Sequence, residues 1–478
     1  MREIDKNYLY PALKIHCTEL DQMFTPTIME VGKYQCSITL PANPTYEDKV
    51  YHFHLYANDE LTQFSTTVTV LGRLLVDEYH EVKDFQSFPD VLGSAGGECI
   101  IIVNFNEGGN ITPVVRSVWG VRIDTEDSNP ATCITPTDDL LDMNISSFGE
   151  RPCLLKNGEV QYYLDPNDFT KKADGTNADI TSGNDGDVMI EIPRMAWFVE
   201  YEGNTLVVKL TNYPYAKAID SRFKYLAHTR DEEGDCDYIY IGAYQASELS
   251  GRLRSLSGKL PLINTTIGQF RDKAQINGTG YGINRFYLVT LLQIMYLMKY
   301  QNLNSQIALG QGVSTGDNPI NTGGTEDKSM YWGSQNQAQH VKFAGIEDWY
   351  GNVWDRFDGV YTEADLTIKT AFKDFNDTGD GYTPRYTFNP TYQNGNFSNN
   401  YMVKPVGTTE LAFFAKEATT ETNIHFCDYH YISGNKAGGH FGGRFGQTTE
   451  VGAFNLSMNI DAATGTVSAG SRLVYLPN

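Results

Sequence analysis

Paired cysteines are missing from this sequence. Its seven cysteines, Cys17, Cys36, Cys99, Cys133, Cys153, Cys236 and Cys427, are odd in number, scattered and never spaced as CxxC. That excludes a disulfide framework and a zinc site and leaves them as reduced core residues. Long apolar runs are missing too. The longest, Phe286 to Met298, is broken by Thr290 and Gln293 and is too short to span a bilayer, so no membrane partner is expected. The N-terminal MREIDKNYLY has no apolar h-region, which points to a protein made in the cytoplasm without a signal peptide. Basic charge is short: 37 Lys and Arg stand against 59 Asp and Glu, a formal net charge of −22 over 478 residues. An acidic surface repels phosphate backbones, and no basic run or RNA-stacking motif offsets it, so nucleic acid is not an expected partner. GxSxG, HExxH, Walker A and a GxGxxG in a strand–helix context are all absent.

What is present is aromatic and glycine-rich. Aromatics make up 12% of the chain, with 30 Tyr, 24 Phe and 44 Gly, while charged residues are only 20%. That mixture fits β-sheet with long, ordered loops, and at about 150 residues per domain the length suggests roughly three domains. Residues 1–110 read as a small β domain. In Tyr51-His52-Phe53-His54-Leu55-Tyr56 positions 51, 53 and 55 share one face, the run Glu98–Val103 reads as a strand covered on both faces, and Gly108-Gly109-Asn110 is the expected exit. Residues 111–215 form a β-rich platform, with strands predicted at Val114–Ile123, Gln161–Leu164, Val188–Ile192 and Trp197–Glu200. The polar stretch Asp165–Asp187 between them reads as a loop or decorated hairpin. From 216 to 478 the texture changes to α+β. Thr265-Thr266 can cap a short helix through Lys273, and Asn284 a longer one from Arg285 to Tyr300 that is apolar nearly all round and hence buried.

Few groupings point to chemistry. Asp374-Phe375-Asn376-Asp377-Thr378-Gly379-Asp380 has oxygen ligands at alternate positions, as in a calcium loop, but the twelfth position is Arg385 where a bidentate Glu is required, so it reads as a solvated turn. His425, Cys427, Asp428, His430 and His440 cluster in sequence. Strand alternation would split them between two faces, so a structural role is expected rather than a metal site. No cofactor and no metal are expected.

The most specific run is Trp349-Tyr350-Gly351-Asn352-Val353-Trp354-Asp355-Arg356, in which the small Gly351-Asn352 pair turns the chain between two tryptophans. It resembles the "GNVWEW" signature of C-type-lectin-like domains of the formylglycine-generating-enzyme and variable-protein kind. Gly438-Gly439-His440-Phe441, Gly452-Ala453-Phe454 and Gly470-Ser471-Arg472-Leu473-Val474 look like the closing pattern of that fold. Asn157–Asp168, Asn184–Pro193, Asp237–Tyr244 and Asn304-Ser305-Gln306 are similar to segments of tailed-phage and prophage minor structural proteins. The resemblance covers roughly residues 112–478 and none of the first 110.

It implies a C-terminal C-type-lectin-like domain with Trp349, Gly351, Asn352, Trp354 and Arg472 as fold-defining residues. The implied function is that of a phage virion structural protein, a tail fibre or baseplate-associated component. It would attach to other virion proteins through residues 1–110, form a homotrimer, and bind a host-surface receptor, glycan or protein, for host attachment. Near the closing motif the expected ligand-contacting residues are Tyr431 and Arg444, with His430, Asn435, Lys436, His440 and Tyr429 beside them. An aromatic face and a guanidinium fork suit a sugar ring and its anionic substituents. Formylglycine-generating enzymes use a pair of active-site cysteines near the C-terminus, whereas Cys427 stands alone, which argues against copper-dependent oxidase activity, and no enzyme is expected. An oxidase or glycan hydrolase on the same fold, and a purely structural head or tail fibre, are the alternatives.

Overall fold

Tyr51 and Phe53 are buried, His52 is exposed and His54 lies between. The period-two pattern read over this run is therefore the pleat of a strand with one covered face. That strand, Lys49–Ala57, belongs to a computed structural model describing residues 13–25, 27–30, 33–40, 49–57, 60–70, 86–88, 91–92, 97–104, 118–137, 145–213, 216–388, 400–419 and 426–477. The chain is mostly β-sheet with few helices, and it divides into two compact units.

The first unit comprises Met1–Trp119, Asp138–Leu141 and Thr211–Phe223. It holds a five-stranded sheet ordered Gln22–Phe24, Leu13–Cys17, Lys49–Ala57, Glu60–Val70, Val91–Leu92. A four-stranded sheet follows the order Thr27–Glu30, Lys33–Leu40, Gly97–Asn104, Gln86–Phe88. Ile15, Cys17, Ile38, Leu40, Tyr51, Phe53 and Val68 are buried apolar side chains of its N-terminal strands, and Val118, Trp119, Tyr213, Ala216 and Phe223 are buried in the rest of the unit. The strand expected over Glu98–Val103 is present as Gly97–Asn104; the expected exit at Gly108-Gly109-Asn110 lies outside the described residues.

The second unit comprises Gly120–Thr137, Asp142–Leu210 and Lys224–Asn478. Its main sheet has 16 strands. The platform strands Arg151–Lys156 and Asp187–Pro193 continue through Tyr238–Gly242 to the C-terminal strand Leu473–Tyr475, then to Tyr281–Arg285 and Trp354–Thr362. Beyond these lie Lys436–Phe441, Leu456–Met458, Tyr429–Ile432, Asn400–Pro405 and Ala415–Thr419. The strands predicted at Gln161–Leu164 and Val188–Ile192 are thus members of the same sheet as the C-terminal region, whereas Trp197–Glu200 falls in Ala196–Glu202, a strand of a separate four-stranded sheet. Asp187–Pro193 is buried over nearly its whole length, so its backbone groups must be matched within the protein: it pairs with Arg151–Lys156 on one edge and Tyr238–Gly242 on the other. The polar stretch that follows Leu164 does form a hairpin arm, Asp168–Lys172, tied by Asp165, Asp168 and Asp174 carboxylates accepting from the backbone two residues on.

The long helix spans Phe286–Tyr300, and 13 of its 15 residues are buried. Each fully buried Leu, Ile or Met contributes about 1.5–3 kcal/mol. Its two buried polar side chains are satisfied, Thr290 by the Phe286 carbonyl and Gln293 by the Ala453 carbonyl. Arg285 occupies the cap position, while Asn284 accepts the Arg285 N–H. The shorter helix Ile267–Gln275 begins with a complete capping box between Thr266 and Gln269.

Candidate binding site

The Gly351-Asn352 turn is the keystone of the second unit. Asn352 is completely buried and adopts a left-handed φ of 61°, a region that Asn tolerates better than other residues with a Cβ. Its amide clamps Ile320, accepting that residue's N–H at 2.9 Å and donating to its carbonyl at 3.1 Å, while its own backbone N–H donates to the Val313 carbonyl. The polar stretch Gly310–Gln339 is thereby folded against the core. Trp349 stacks on Phe343 with ring centroids 4.4 Å apart and also meets Tyr296 of the long helix and Phe441. Trp354 turns into a different cluster with Tyr429, Ala469 and Tyr431. Arg472, fully buried, donates to Asp355 at 2.5 Å and to the Asp348, Gly242 and Ala243 carbonyls. All five residues expected to define the fold lie inside this frame.

The expected ligand-contacting residues fall into two groups. Tyr429, His430 and His440 are buried. Burial pushes His430 down to about 3 and holds His440, which also feels the Arg356 charge, well below the usual imidazole range. The sheet is covered on both faces here, so alternation along the strand brings neither face to solvent and these three side chains belong to the interior. Tyr431, Lys436 and Arg444 are partly exposed and Asn435 is exposed. Tyr431 leans on Tyr429, Asn435 makes a left-handed turn with φ 56°, Lys436 pairs with Asp461, and Arg444 donates to the Phe445 carbonyl at 2.7 Å. Burial also pushes the Cys427 thiol up to about 12, which keeps it protonated, and His425 lies outside the described residues.

A cleft of about 290 Å³ opens elsewhere in the same unit, lined by Asn304, Gln306, Gln311, Gln335, Tyr401 and Thr449, with Ile307 and Cys427. None of these carries a charge at neutral pH. Its floor is fixed. The Gln306 amide donates to the Thr448 and Val451 carbonyls, both at 2.7 Å, and Gln335 donates to the Gln306 carbonyl at 2.9 Å. Asn304 accepts the Ile307 N–H, and behind it the Tyr350 hydroxyl donates to the Gly310 carbonyl at 2.6 Å, with the Ser305 carbonyl 3.0 Å away. With both amide protons of Gln306 spent on the backbone, the cleft is a rigid, hydrogen-bonding surface of a size at the lower end for small-molecule sites, about 300 Å³. Asn304 and Gln306 stand out in the sequence only through the resemblance, and the density of Asn and Gln over 301–311 and 335–339 is the signal that marks the cleft.

Among the described residues one further grouping could gather on a cation: His340, Glu347 and Asp348, all buried, with donor atoms within 4.8 Å of one another. His340 Nδ1 lies 2.8 Å from Asp348 and 3.8 Å from Glu347. Burial opposes the imidazolium, yet the two carboxylates outweigh it and raise His340 to about 9. A protonated imidazole thus already supplies the positive charge between two acids, and Glu347 also accepts from Gly323 and Thr325.

A β-rich scaffold with a small, uncharged, preformed cleft is the class of molecule these observations define, and no helix among the described residues is long and apolar enough to cross a membrane. No protein-family profile and no curated protein matches the chain. The solved structures similar to it include the Major Tropism Determinant U1 variant, with a TM-score of 0.22 and 11% identity over 94% of this chain and 82% of that one. They also include the Major Tropism Determinant M1 variant, with a TM-score of 0.23 and 10% identity over 99% and 84%. Likeness at that level carries no argument about function.

Proposed function

We propose that this chain is a structural component of a phage virion, a tail-fibre or baseplate-associated protein, that binds a host-surface receptor, glycan or protein, through its C-terminal lectin-like region. Its role in this reading is binding rather than catalysis. One observation carries it: in the unit that bears the lectin-like motifs, a buried frame holds an open cleft walled by uncharged hydrogen-bonding side chains. Recognition of a neutral surface group needs such walls, because an amide or hydroxyl that is already immobilised loses little entropy on binding. The first unit serves attachment to other virion proteins. Assembly as a homotrimer multiplies a weak single site by avidity.

The test uses the fluorescently labelled full chain on a panel of bacterial strains, with antibody labelling of phage particles by electron microscopy. Saturable binding to a subset of strains and labelled particles are expected. Gln311→Ala with Gln335→Ala strips the cleft, and Tyr431→Ala with Arg444→Ala strips the closing-segment surface; Gln335 is exposed and the other three are partly exposed, so Tm stays within a few degrees. Loss of cell binding in the first pair places the receptor in the cleft, and loss in the second places it on the closing segment. No saturable binding to any strain, together with unlabelled particles, overturns the reading.

A further inference from the structure

One rung of the large sheet is polar from strand to strand. Arg356 lies opposite His440, His440 opposite Ser457, and Ser457 opposite Tyr431. Residues directly opposite in neighbouring strands share a face, so these four side chains stand in a row. Three of them are sealed from solvent, with Arg356 at 2%, His440 at 3% and Ser457 at 1% exposure. Arg356 Nε, both ring nitrogens of His440 and Ser457 Oγ have no hydrogen-bond partner. A guanidinium and a hydroxyl donate, and an imidazole carries at least one N–H in either tautomer, so the row presents three unmatched donors.

Three other sheltered guanidiniums of this unit sit on carboxylates, Arg472 on Asp355, Arg271 on Asp358 and Arg254 on Asp187, while Arg285 meets the Phe372 carbonyl and the Phe375 ring. Arg356 has no carboxylate of its own and stands beside open donors. The acid whose charge acts on it, Asp377, is itself paired with Arg271, and the contact Arg356 makes is to the carbonyl of Thr464. Burial pushes Arg356 down to about 10, as expected for a guanidinium short of negative charge. A buried cation beside open donors is costly, and water would satisfy the donors without neutralising the charge.

We propose that Arg356, His440 and Ser457 hold a small monovalent anion, beneath the segment that reaches over the row at Thr464. The guanidinium supplies the charge, and the imidazole and hydroxyl complete a shell of donors. Tyr431, half-buried at the outer end of the row, leaves two sources open for the same chemistry: a free halide, or the carboxylate of a molecule seated against its ring.

The full chain is melted in sodium bromide, chloride or formate against sodium gluconate, which is too large for the row, at equal ionic strength. A saturable rise in Tm with bromide and chloride is expected, and Ser457→Ala and Arg356→Met each weaken the apparent affinity at least tenfold. Crystals grown in bromide should show an anomalous peak within hydrogen-bond distance of Arg356 Nε. A rise with formate alone supports the proposal and assigns the carboxylate as the source. Where Arg356→Met fails to fold, Ser457→Ala carries the comparison. Wild-type melting that is the same in all four salts, with water and no anomalous peak beside Arg356, overturns it.

Discussion

Asn352 does two things that no other side chain can do at that position. It tolerates a left-handed backbone and matches both hydrogen-bonding groups of Ile320. Asn352→Ala loses both bonds in a buried site and keeps the unfavourable φ, and should cost about 2–4 kcal/mol; Asn352→Gly relieves the backbone and should cost less. Denaturant titration of the two variants checks the order. Asp428 makes a second residue-scale case. It is buried, and burial raises its carboxyl to about 8 against one opposing hydrogen bond from the Phe454 N–H. The folded state therefore holds the proton more tightly than the unfolded chain, whose value is about 3.9. The stability this adds is full below the unfolded value and is lost as pH rises toward the folded one. Asp428→Asn does not titrate, so its advantage over the wild type should grow by about 1.4 kcal/mol per pH unit between roughly pH 4 and 8. Thermal melts of both proteins across that range test it; a constant gap would count against the assignment.

At the scale of elements, the C-terminal strand Leu473–Tyr475 lies between Tyr238–Gly242 and Tyr281–Arg285. Removing everything after Ala469 takes out a central strand and Arg472 with it, so the second unit should lose its cooperative melt; an unchanged calorimetric transition would refute this placement. The same elements separate what the sequence makes legible from what it does not. The long helix was readable because Phe286, Leu288, Leu291, Met295 and Met298 leave no polar side, and the Thr266–Gln269 box announces its helix locally. The alternation of Tyr51 and Phe53 likewise marks its own strand. The cleft has no such mark, because its walls come from 304–311, 335, 401 and 449, which meet only after the sheet has formed. His340 and Asp348 are brought together by the hairpin of Lys342–Phe343 and Ile346–Glu347, two very short strands with no pattern to read. Tyr429, His430 and His440 look like an accessible polar cluster because alternation says nothing of whether both faces of a strand are covered.

For the whole molecule, the proposed function requires more than one copy, since a single small cleft gives weak attachment. Three copies in solution are the expected state, and light scattering showing a monomer at micromolar concentration would exclude it. Arg472 carries a different consequence, one of time. Its guanidinium reaches partners 230, 229, 124 and 117 residues away in the chain. The entropy of closing such loops must be met before any of these bonds rewards it, and topologies dominated by distant pairings reach the native state slowly. Until that hub closes, the unpaired edges of its neighbouring strands stay available to other chains. Recovery from denaturant should therefore take a slow, dilution-dependent course, with yield falling as protein concentration rises.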